Sequence, residues 1–346
     1  MHGKRDIIHN MKEITCILPV AGIGKRLQPH TFTMPKVLLP VAGKPILGYL
    51  IEYIRNLGIN RIVFITGHLG NKIVEFVQTK YRELDSVFVK QEEFLGLGYA
   101  ISLAEEHVNG PVFINLGDTL IEADTRHLIK DGISWIALKE VDDPRRFGVA
   151  ITDGTGIITK VIEKPQDFLS RQALCGVYFL NNSRLLFSCL KTLINTGKRT
   201  RNEFQLTDAI EMMIEKGEKI LGIPAKIWFD CGKVETLLET NRYLLEKNRP
   251  SVPSLPTVVI NEPAFIDPSA QLRNCVIGPF VSIGKNVSMS NVIVQNSIIN
   301  DNANVKNIVL TDSVIGYSAF LAGNLQKINL GDASRISLMG EEDTFF

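Results

Sequence analysis

Apolar and polar positions along the first third of the chain fall into short blocks of two kinds. Ile14 to Val20 is an apolar run of strand length, and Ala21-Gly22-Ile23-Gly24 breaks it with two glycines. Pro45 then opens a segment in which Ile46, Leu50, Ile51, Ile54 and Leu57 recur at helical spacing, and Gly58 stands where a C-terminal cap belongs. Arg61 to Thr66 reads as the next strand. The pattern continues through Asn71 to Tyr81 (helix), Ser86 to Lys90 (strand), Gly98 to His107 (helix) and Pro111 to Leu116 (strand). This alternation predicts a parallel sheet with helices on both faces. Open sheets of that kind bind ligands at the carboxyl ends of their strands, and those ends carry Gly22-Ile23-Gly24-Lys25-Arg26, Gln91 and Gly117-Asp118.

From Trp135 to Lys164 the pattern becomes strand rich, with Asp153-Gly154 expected as a hairpin turn between Val149-Ala150-Ile151 and Ile157 to Ile162. Helices return at Ser183 to Thr196 and Leu206 to Lys216. Gly222 to Asp230 reads as one strand and Val234 to Asn248 as a closing helix. Arg249 to Pro256 holds three prolines and reads as a stiff linker. Beyond it apolar residues recur six apart: Ile266 and Leu272, then Ile277, Ile283 and Met289, then Ile293, Ile299 and Val305, then Ile315 and Leu321. That period is too short for a helical solenoid and matches a β-helix, in which each short strand contributes an inward apolar residue. Residues 266–321 would make about three coils at three hexads per coil. The predicted organisation is a disordered leader (1–12), an α/β domain (13–248), a proline-rich linker (249–260), and the repeat domain with its tail (261–346).

Composition narrows the class of partner. The 346 residues carry 38 Lys+Arg against 37 Asp+Glu, a formal net charge of +1, which argues against a nucleic-acid polymer or an anionic membrane as the main partner. No apolar run reaches the roughly 18 residues that suggest a transmembrane helix, and the polar, basic start has no signal-peptide core, so a cytoplasmic location is expected. The five cysteines are widely spaced without a CxxC pair and are expected as reduced thiols. All six histidines lie in the first 127 residues, so the rest of the chain has no histidine base.

Gly22-Ile23-Gly24-Lys25-Arg26-Leu27 follows a strand, but a dinucleotide fingerprint would need glycine at 27 and a helix starting here. A glycine loop with Lys25 and Arg26 beside it and Pro35-Lys36 further on instead suits a triphosphate; the alternative is an ordinary basic turn. The longer run Leu18 to Leu27, Pro29, Thr31, Pro35-Lys36, Leu39-Pro40-Val41 and Lys44-Pro45 resembles the signature of the sugar-1-phosphate nucleotidylyltransferases. The resemblance continues through Gly117-Asp118, Phe147-Gly148-Val149, Glu163-Lys164-Pro165, Gly176-Val177-Tyr178, Gln205 to Asp208 and Trp228 to Gly232. It covers about residues 14–248, and the hexad repeat resembles the left-handed β-helix of long-form, glucose-1-phosphate thymidylyltransferase-like members.

The resemblance implies a Rossmann-like α/β nucleotidyltransferase domain with a mixed, mostly parallel sheet, followed by a left-handed parallel β-helix. It implies attack of a sugar-1-phosphate oxygen on the α-phosphorus of a nucleoside triphosphate, releasing pyrophosphate. Two anions react, so the site must cancel repulsion and hold an in-line geometry. By resemblance, Gly22, Gly24, Lys25 and Arg26 hold the triphosphate, and Arg26 and Lys36 stabilise departing pyrophosphate. Lys164 steers the sugar phosphate, Glu163 accepts sugar hydroxyls, and Gly148, Gly176 and Tyr178 complete the sugar pocket. Asp118 and Asp230 match the Mg²⁺ ligands, with Asp118 counted among the catalytic residues. Gln91 with Gly96 resembles the segment that pairs with a pyrimidine, and a side-chain amide can serve both the O and N–H of uracil or thymine.

Other residues have plainer readings. Thr207 or Asp208 is expected to cap a helix, Trp228 to pack, His30 to be a solvated loop residue, and Cys231 to lack thiolate chemistry. Competing functions are a guanylyltransferase making GDP-mannose, a bifunctional acetyltransferase, which the missing histidine opposes, and a silent regulatory subunit that binds nucleotide sugars. The repeat domain is expected to support a homo-oligomer.

Overall fold

A computed structural model describes residues 14–323; the expected leader at 1–12 and the tail beyond 323 lie outside the described residues. Strands β1 (Thr15–Pro19), β2 (Arg61–Thr66), β3 (Asp85–Lys90) and β4 (Val112–Asn115) run parallel in the order β3-β2-β1-β4. Their crossovers carry α1 (Ile46–Asn56), α2 (Gly70–Lys80) and α3 (Leu97–Ser102). β1 lies between β2 and β4 and is apolar on both faces, as a parallel strand covered twice must be. Cys16 and Leu18 pack with α1 residues Leu47, Leu50 and Ile54, while Ile17 packs on the opposite face with Ala100 and Ile101 of α3. All of these except Ala100 are fully buried, and each large side chain so buried stabilises the fold by about 1.5–3 kcal/mol.

Apart from a two-residue antiparallel ladder of Pro40–Val41 with Lys44–Pro45, the further strands of this domain are β5 (Thr119–Glu122), β6 (Trp135–Glu140), β7 (Gly148–Thr152), β8 (Ile158–Glu163), β9 (Gln172–Leu180), β10 (Leu221–Pro224) and β11 (Ile227–Asp230). β9 joins the parallel half to the rest, running antiparallel to β4, β6 and β7, so the sheet is mixed. The helices of this half are α4 (Arg126–Lys130), α5 (Ser183–Thr196), α6 (Leu206–Glu215) and α7 (Val234–Asn248). β5 and β11 form a separate antiparallel ladder in which Asp230 lies opposite Thr119.

Several local elements depart from the sequence reading. The stretch from Gly222 to Asp230 is two strands, because Ala225 and Lys226 turn their N–H groups to Leu138 O and Glu122 O and hand the chain from one ladder to another. The connection after β7 is longer than an Asp-Gly turn: Asp153 Oδ1 accepts from the N–H groups of Thr155 and Ile157, and Gly156 rather than Gly154 takes the positive φ, 85°. The helix expected over Gly98 to His107 is α3 followed by a 3₁₀ turn, Glu105–His107. Neither Thr207 nor Asp208 caps α6; its N-cap is Gln205, which makes no side-chain cap bond.

Beyond the linker, parallel strands stack on three sides. Residues 258–260 pair with 275–277, then 292–294 and 308–310. Residues 264–266 begin a second stack through 281–283, 298–299 and 314–315, and 271–273 a third through 288–290, 304–306 and 320–322. Each side is therefore four strands deep rather than three, and the linker ends earlier than expected, because Val258–Ile260 is already paired. At one corner a single left-handed asparagine turns the chain in each coil, Asn274, Asn291 and Asn307, with φ of 53°, 55° and 53°. Side chains alternate across a strand, so the residue spent at this corner moves the inward positions by one: Val292 and Val294 are buried, whereas Ile293, expected inside, is 50 % exposed. The other predicted inward residues from Ile266 to Val305 are buried except Leu272, which with Ile315 and Leu321 packs half-buried against them.

The stack docks on α7 and on the loop before α1. Asn241, fully buried on α7, accepts from Ala42 N–H at 2.8 Å and from Ser282 Oγ at 2.6 Å, and donates to Phe280 O at 3.1 Å. A Cβ at Gly43 would stand 2.4 Å from the Phe265 ring, so the glycine is what lets the ring close on the loop.

Candidate active site

The glycine turn is built by its own backbone. Gly24 has φ 70° and precedes a 3₁₀ turn, Lys25–Leu27, where the sequence reading expected no helical start. Leu27 is fully buried and anchors the turn, leaving Lys25 and Arg26 exposed. The Thr31 hydroxyl donates to Gly24 O at 2.9 Å and closes the loop on itself. Gly22 differs from Gly24, because a Cβ there would meet nothing within 4 Å. A second 3₁₀ turn, Lys36–Leu38, buries Val37 and Leu38 and points Lys36 back across the strand ends.

These pieces face a cavity of about 510 Å³ at the carboxyl ends of β1, β3 and β4, which gathers Gly22, Gly24, Lys25, Arg26, Lys36, Gln91, Gly96 and Asp118. The Lys36 ammonium pairs with Asp118 Oδ2. Asp230 joins from β11, its carboxylate 4.0 Å from the Arg26 guanidinium, and Cys231 N–H donates to Asp118 O at 2.9 Å. Burial first, and then the neighbouring Asp118 charge, hold the Asp230 carboxyl above the usual carboxylate range, against the pull of Lys36, Arg26 and Lys233. Asp230 Oδ1 is buried without a hydrogen-bond partner. Two adjacent carboxylates of which one has an orphaned oxygen fit a hard divalent cation such as Mg²⁺, which takes one or two carboxylates together with phosphate oxygens. No group of three or more candidate ligands occurs among the described residues.

At the other end of the cavity, Gln91 is 7 % exposed and its Nε2 donates to Glu93 O at 3.0 Å, which fixes the amide plane. Gly96 has φ 113°, and a Cβ there would stand 2.6 Å from Phe204 O. The backbone around it is clamped on the segment before α6: Phe204 N–H donates to Leu95 O at 2.8 Å and Gly98 N–H to Phe204 O at 2.7 Å.

Gly148, Glu163, Lys164, Gly176 and Tyr178 are not in the lining of that cavity; they gather beside it. Gly176 packs against Leu116, which is part of the lining, with 2.6 Å from a hypothetical Cβ to Leu116 Cδ1. Glu163 Oε1 lies 3.4 Å from Lys164 Nζ, and Lys164 takes the left-handed φ of 41°, held by its N–H to Phe147 O and by Arg201 Nη2 to its carbonyl at 2.9 Å. Tyr178 is 4 % exposed and its hydroxyl is pushed up by burial and then by Glu163, so it supports the pocket from within the core. Asp208 is raised by burial foremost, and Thr207 turns its hydroxyl to Glu163. Thr207 and Arg201 join the group although the sequence marks neither: a hydroxyl in the first turn of a helix suggests a cap, and only the tertiary fold brings Thr207 to Glu163 and Arg201 to the Lys164 carbonyl.

Trp228 packs edge-on to Phe147 at 5.0 Å, as expected. The Cys231 thiol is buried beside Thr240 and pushed up to about 12 chiefly by burial, which keeps it protonated. His30 is not a solvated loop residue: its Nδ1 is buried near Gly316 of the stack, and burial lowers its pKa. It borders a larger cleft of about 1070 Å³ between the loop and the stack, which lacks the glycine turn and the aspartate pair.

The family model described as Nucleotidyl transferase matches residues 15–247. The low-salt glycan biosynthesis nucleotidyltransferase Agl11 of Haloferax volcanii is 31 % identical over 338 residues, covering 88 % of this chain and 92 % of that protein. A glucose-1-phosphate thymidylyltransferase of Streptomyces antibioticus is 28 % identical, covering 92 % and 97 %. Among solved structures, a UDP-glucose pyrophosphorylase complexed with UDP-glucose superposes with a TM-score of 0.59 at 26 % identity, over 67 % of this chain and 98 % of that one.

Proposed function

The chain belongs to the nucleotidyl transferase family, as a sugar-1-phosphate nucleotidyltransferase, and from that premise we propose that it joins a pyrimidine nucleoside triphosphate, dTTP or UTP, to glucose-1-phosphate. The products are the NDP-sugar and pyrophosphate. The observation that carries this reading is the 510 Å³ cavity, with a cationic glycine turn at one end and a buried, oriented glutamine amide at the other.

In this reading the turn amides and Lys25 bind the triphosphate, and Arg26 and Lys36 neutralise charge on the departing pyrophosphate. Lys164, fixed by its strained backbone, directs the sugar phosphate, whose oxygen forms the new P–O bond as the bond to pyrophosphate breaks. Asp118 and Asp230 would hold Mg²⁺, which supplies charge neutralisation at the reacting phosphates. Lys36 then exchanges its carboxylate partner for phosphate. The segment carrying Gln91 and Gly96, which resembles the pyrimidine-pairing segment of thymidylyl- and uridylyltransferases, distinguishes this reading from a GDP-mannose synthase; the presence together of Lys25, Arg26, Lys36, Asp118, Lys164 and Asp230 argues against a silent binding subunit.

The C-terminal stack is read as the left-handed β-helix of long-form relatives and as an oligomerisation module. An outward ladder in which Val259, Val276, Ile293 and Val309 are register neighbours supports this, with Val259, Ile293 and Val309 at 58 %, 50 % and 70 % exposure. Among the described residues no helix is long and apolar enough to cross a membrane. The test is pyrophosphate release from dTTP, UTP, GTP, ATP or CTP with glucose-1-phosphate or mannose-1-phosphate and magnesium. The expected result is turnover with a pyrimidine nucleotide and glucose-1-phosphate. Preference for GTP with mannose-1-phosphate would overturn the base assignment, and no turnover with any pair would favour a regulatory subunit.

A further inference from the structure

Helix α6 presents two side chains one turn apart to strand β8. Glu211 Oε2 accepts the Val161 N–H at 2.7 Å, which ties the helix to the strand. Thr207, 6 % exposed, donates its hydroxyl to Glu163 Oε2 at 2.8 Å. The Glu163 side chain is 10 % exposed, and its other oxygen, Oε1, faces the Lys164 ammonium. Gly148 closes the remaining side: a Cβ there would lie 3.1 Å from Glu163 Oε2 and 3.3 Å from Thr207 Oγ1. The carboxylate thus has one oxygen occupied by a buried hydroxyl donor and the other facing only the Lys164 ammonium.

We propose that Thr207 is a positioning residue for sugar specificity, acting by leaving Glu163 Oε1 as the single acceptor for a sugar hydroxyl. The inference rests on the proposed reaction, in which Glu163 receives the sugar. A carboxylate free at both oxygens can rotate to meet a hydroxyl from more than one direction, whereas one pinned at Oε2 accepts along one direction and discriminates between epimers at that carbon. Thr207 acts through Glu163 and does not itself touch the reacting atoms. Its backbone neighbour Phe204 is clamped to the loop that carries Gly96, so the same short segment braces the base end and the sugar end of the site.

The experiment compares wild type with Thr207→Val, Thr207→Ser, Glu163→Gln and the Thr207→Val/Glu163→Gln double variant, using the preferred sugar-1-phosphate and its epimers. Loss of a hydrogen bond to a charged group predicts that Thr207→Val raises the KM for sugar-1-phosphate about 10- to 100-fold. The KM for nucleotide stays within about 2-fold, and the kcat/KM ratio between epimers falls toward one. Thr207→Ser retains the wild-type ratio, and Thr207→Val adds less than about 3-fold on top of Glu163→Gln, as expected of residues acting as a unit. A wild-type epimer ratio in Thr207→Val, or full additivity with Glu163→Gln, overturns the inference. If Thr207→Val fails to fold in a circular-dichroism melt, Thr207→Ala against Thr207→Ser carries the same comparison. Wild-type protein inactive with every sugar-1-phosphate removes the reaction and the inference with it; an active wild type with insensitive Thr207 variants removes only the inference.

Discussion

Asn241 Oδ1 on α7 accepts a hydrogen bond from Ser282 Oγ of the strand stack at 2.6 Å, while the same oxygen holds Ala42 N–H. One buried amide therefore joins the loop before α1, the last helix of the catalytic domain and the C-terminal stack. Replacing it by alanine leaves Ala42 N–H and Phe280 O without this partner, and stranded buried groups cost about 1–3 kcal/mol each. Asn241→Ala should lower the denaturant midpoint clearly and Ser282→Ala by less. Equal, negligible shifts in a chemical unfolding titration would contradict this.

Gly22 and Gly24 should respond differently to alanine. At Gly22 a methyl group meets no protein atom within 4 Å, whereas at Gly24 it meets Thr31 Cγ2 at 2.9 Å on a backbone of φ 70°. Gly22→Ala is expected to change stability by less than about 0.5 kcal/mol, yet to raise the KM for nucleotide by crowding the triphosphate. Gly24→Ala should lose stability as well. Paired thermal melts and nucleotide saturation curves distinguish the two, and unchanged nucleotide affinity in Gly22→Ala would exclude close approach of phosphate there.

Asp118→Asn and Asp230→Asn should each leave the fold intact and reduce turnover by about 100-fold or more, the scale of losing a charge-stabilising group. Near wild-type rates at saturating magnesium would remove both carboxylates from the mechanism.

Glu122 predicts an acid-dependent contribution to stability. Burial raises its pKa, but hydrogen bonds from Lys247 and Tyr243 on α7, with the Lys247 charge, outweigh that and leave it below the ordinary range of a glutamate. A depressed folded-state pKa means stability that is complete above the unfolded value and lost as pH falls through the folded one. Between wild type and Glu122→Gln, the difference in melting temperature should be greatest above pH 5 and shrink toward pH 3. A difference that is flat with pH would show that the ion pair does not hold α7 in solution.

Ile293 lies on the outer face of the stack in register with Val276 and Val309. If that ladder is the oligomer contact, Ile293→Lys should shift the species seen in sedimentation velocity toward monomer while preserving kcat. An unchanged distribution would place any oligomer contact elsewhere.

Much of the candidate site is legible in the sequence because its residues sit where apolar strands stop. Gly24, Gln91 and Asp118 each follow such a strand, and backbone topology alone brings strand ends together. What escaped depended on side chains choosing among partners. Thr207 stands in the first turn of a helix, where a hydroxyl ordinarily caps the backbone, and only the tertiary placement of Glu163 redirects it. Ile293 escaped for a different reason: a six-residue count does not register the left-handed asparagine that takes up one position at the corner. His30 looks solvated from its sequence because nothing local reveals that the stack folds back on its loop.

The pairing of β5 with β11 also has a meaning in time. Lys25, Arg26, Lys36 and Asp118 all precede residue 119, but Asp230 reaches Asp118 only through a ladder whose second strand is made much later. During synthesis the nucleotide-facing cations would emerge well before the second carboxylate, and contacts so distant in sequence form late in folding. A nascent chain thus carries the glycine turn before the strand that brings Asp230 to Asp118 exists, so the two carboxylates meet only once the α/β domain is nearly whole.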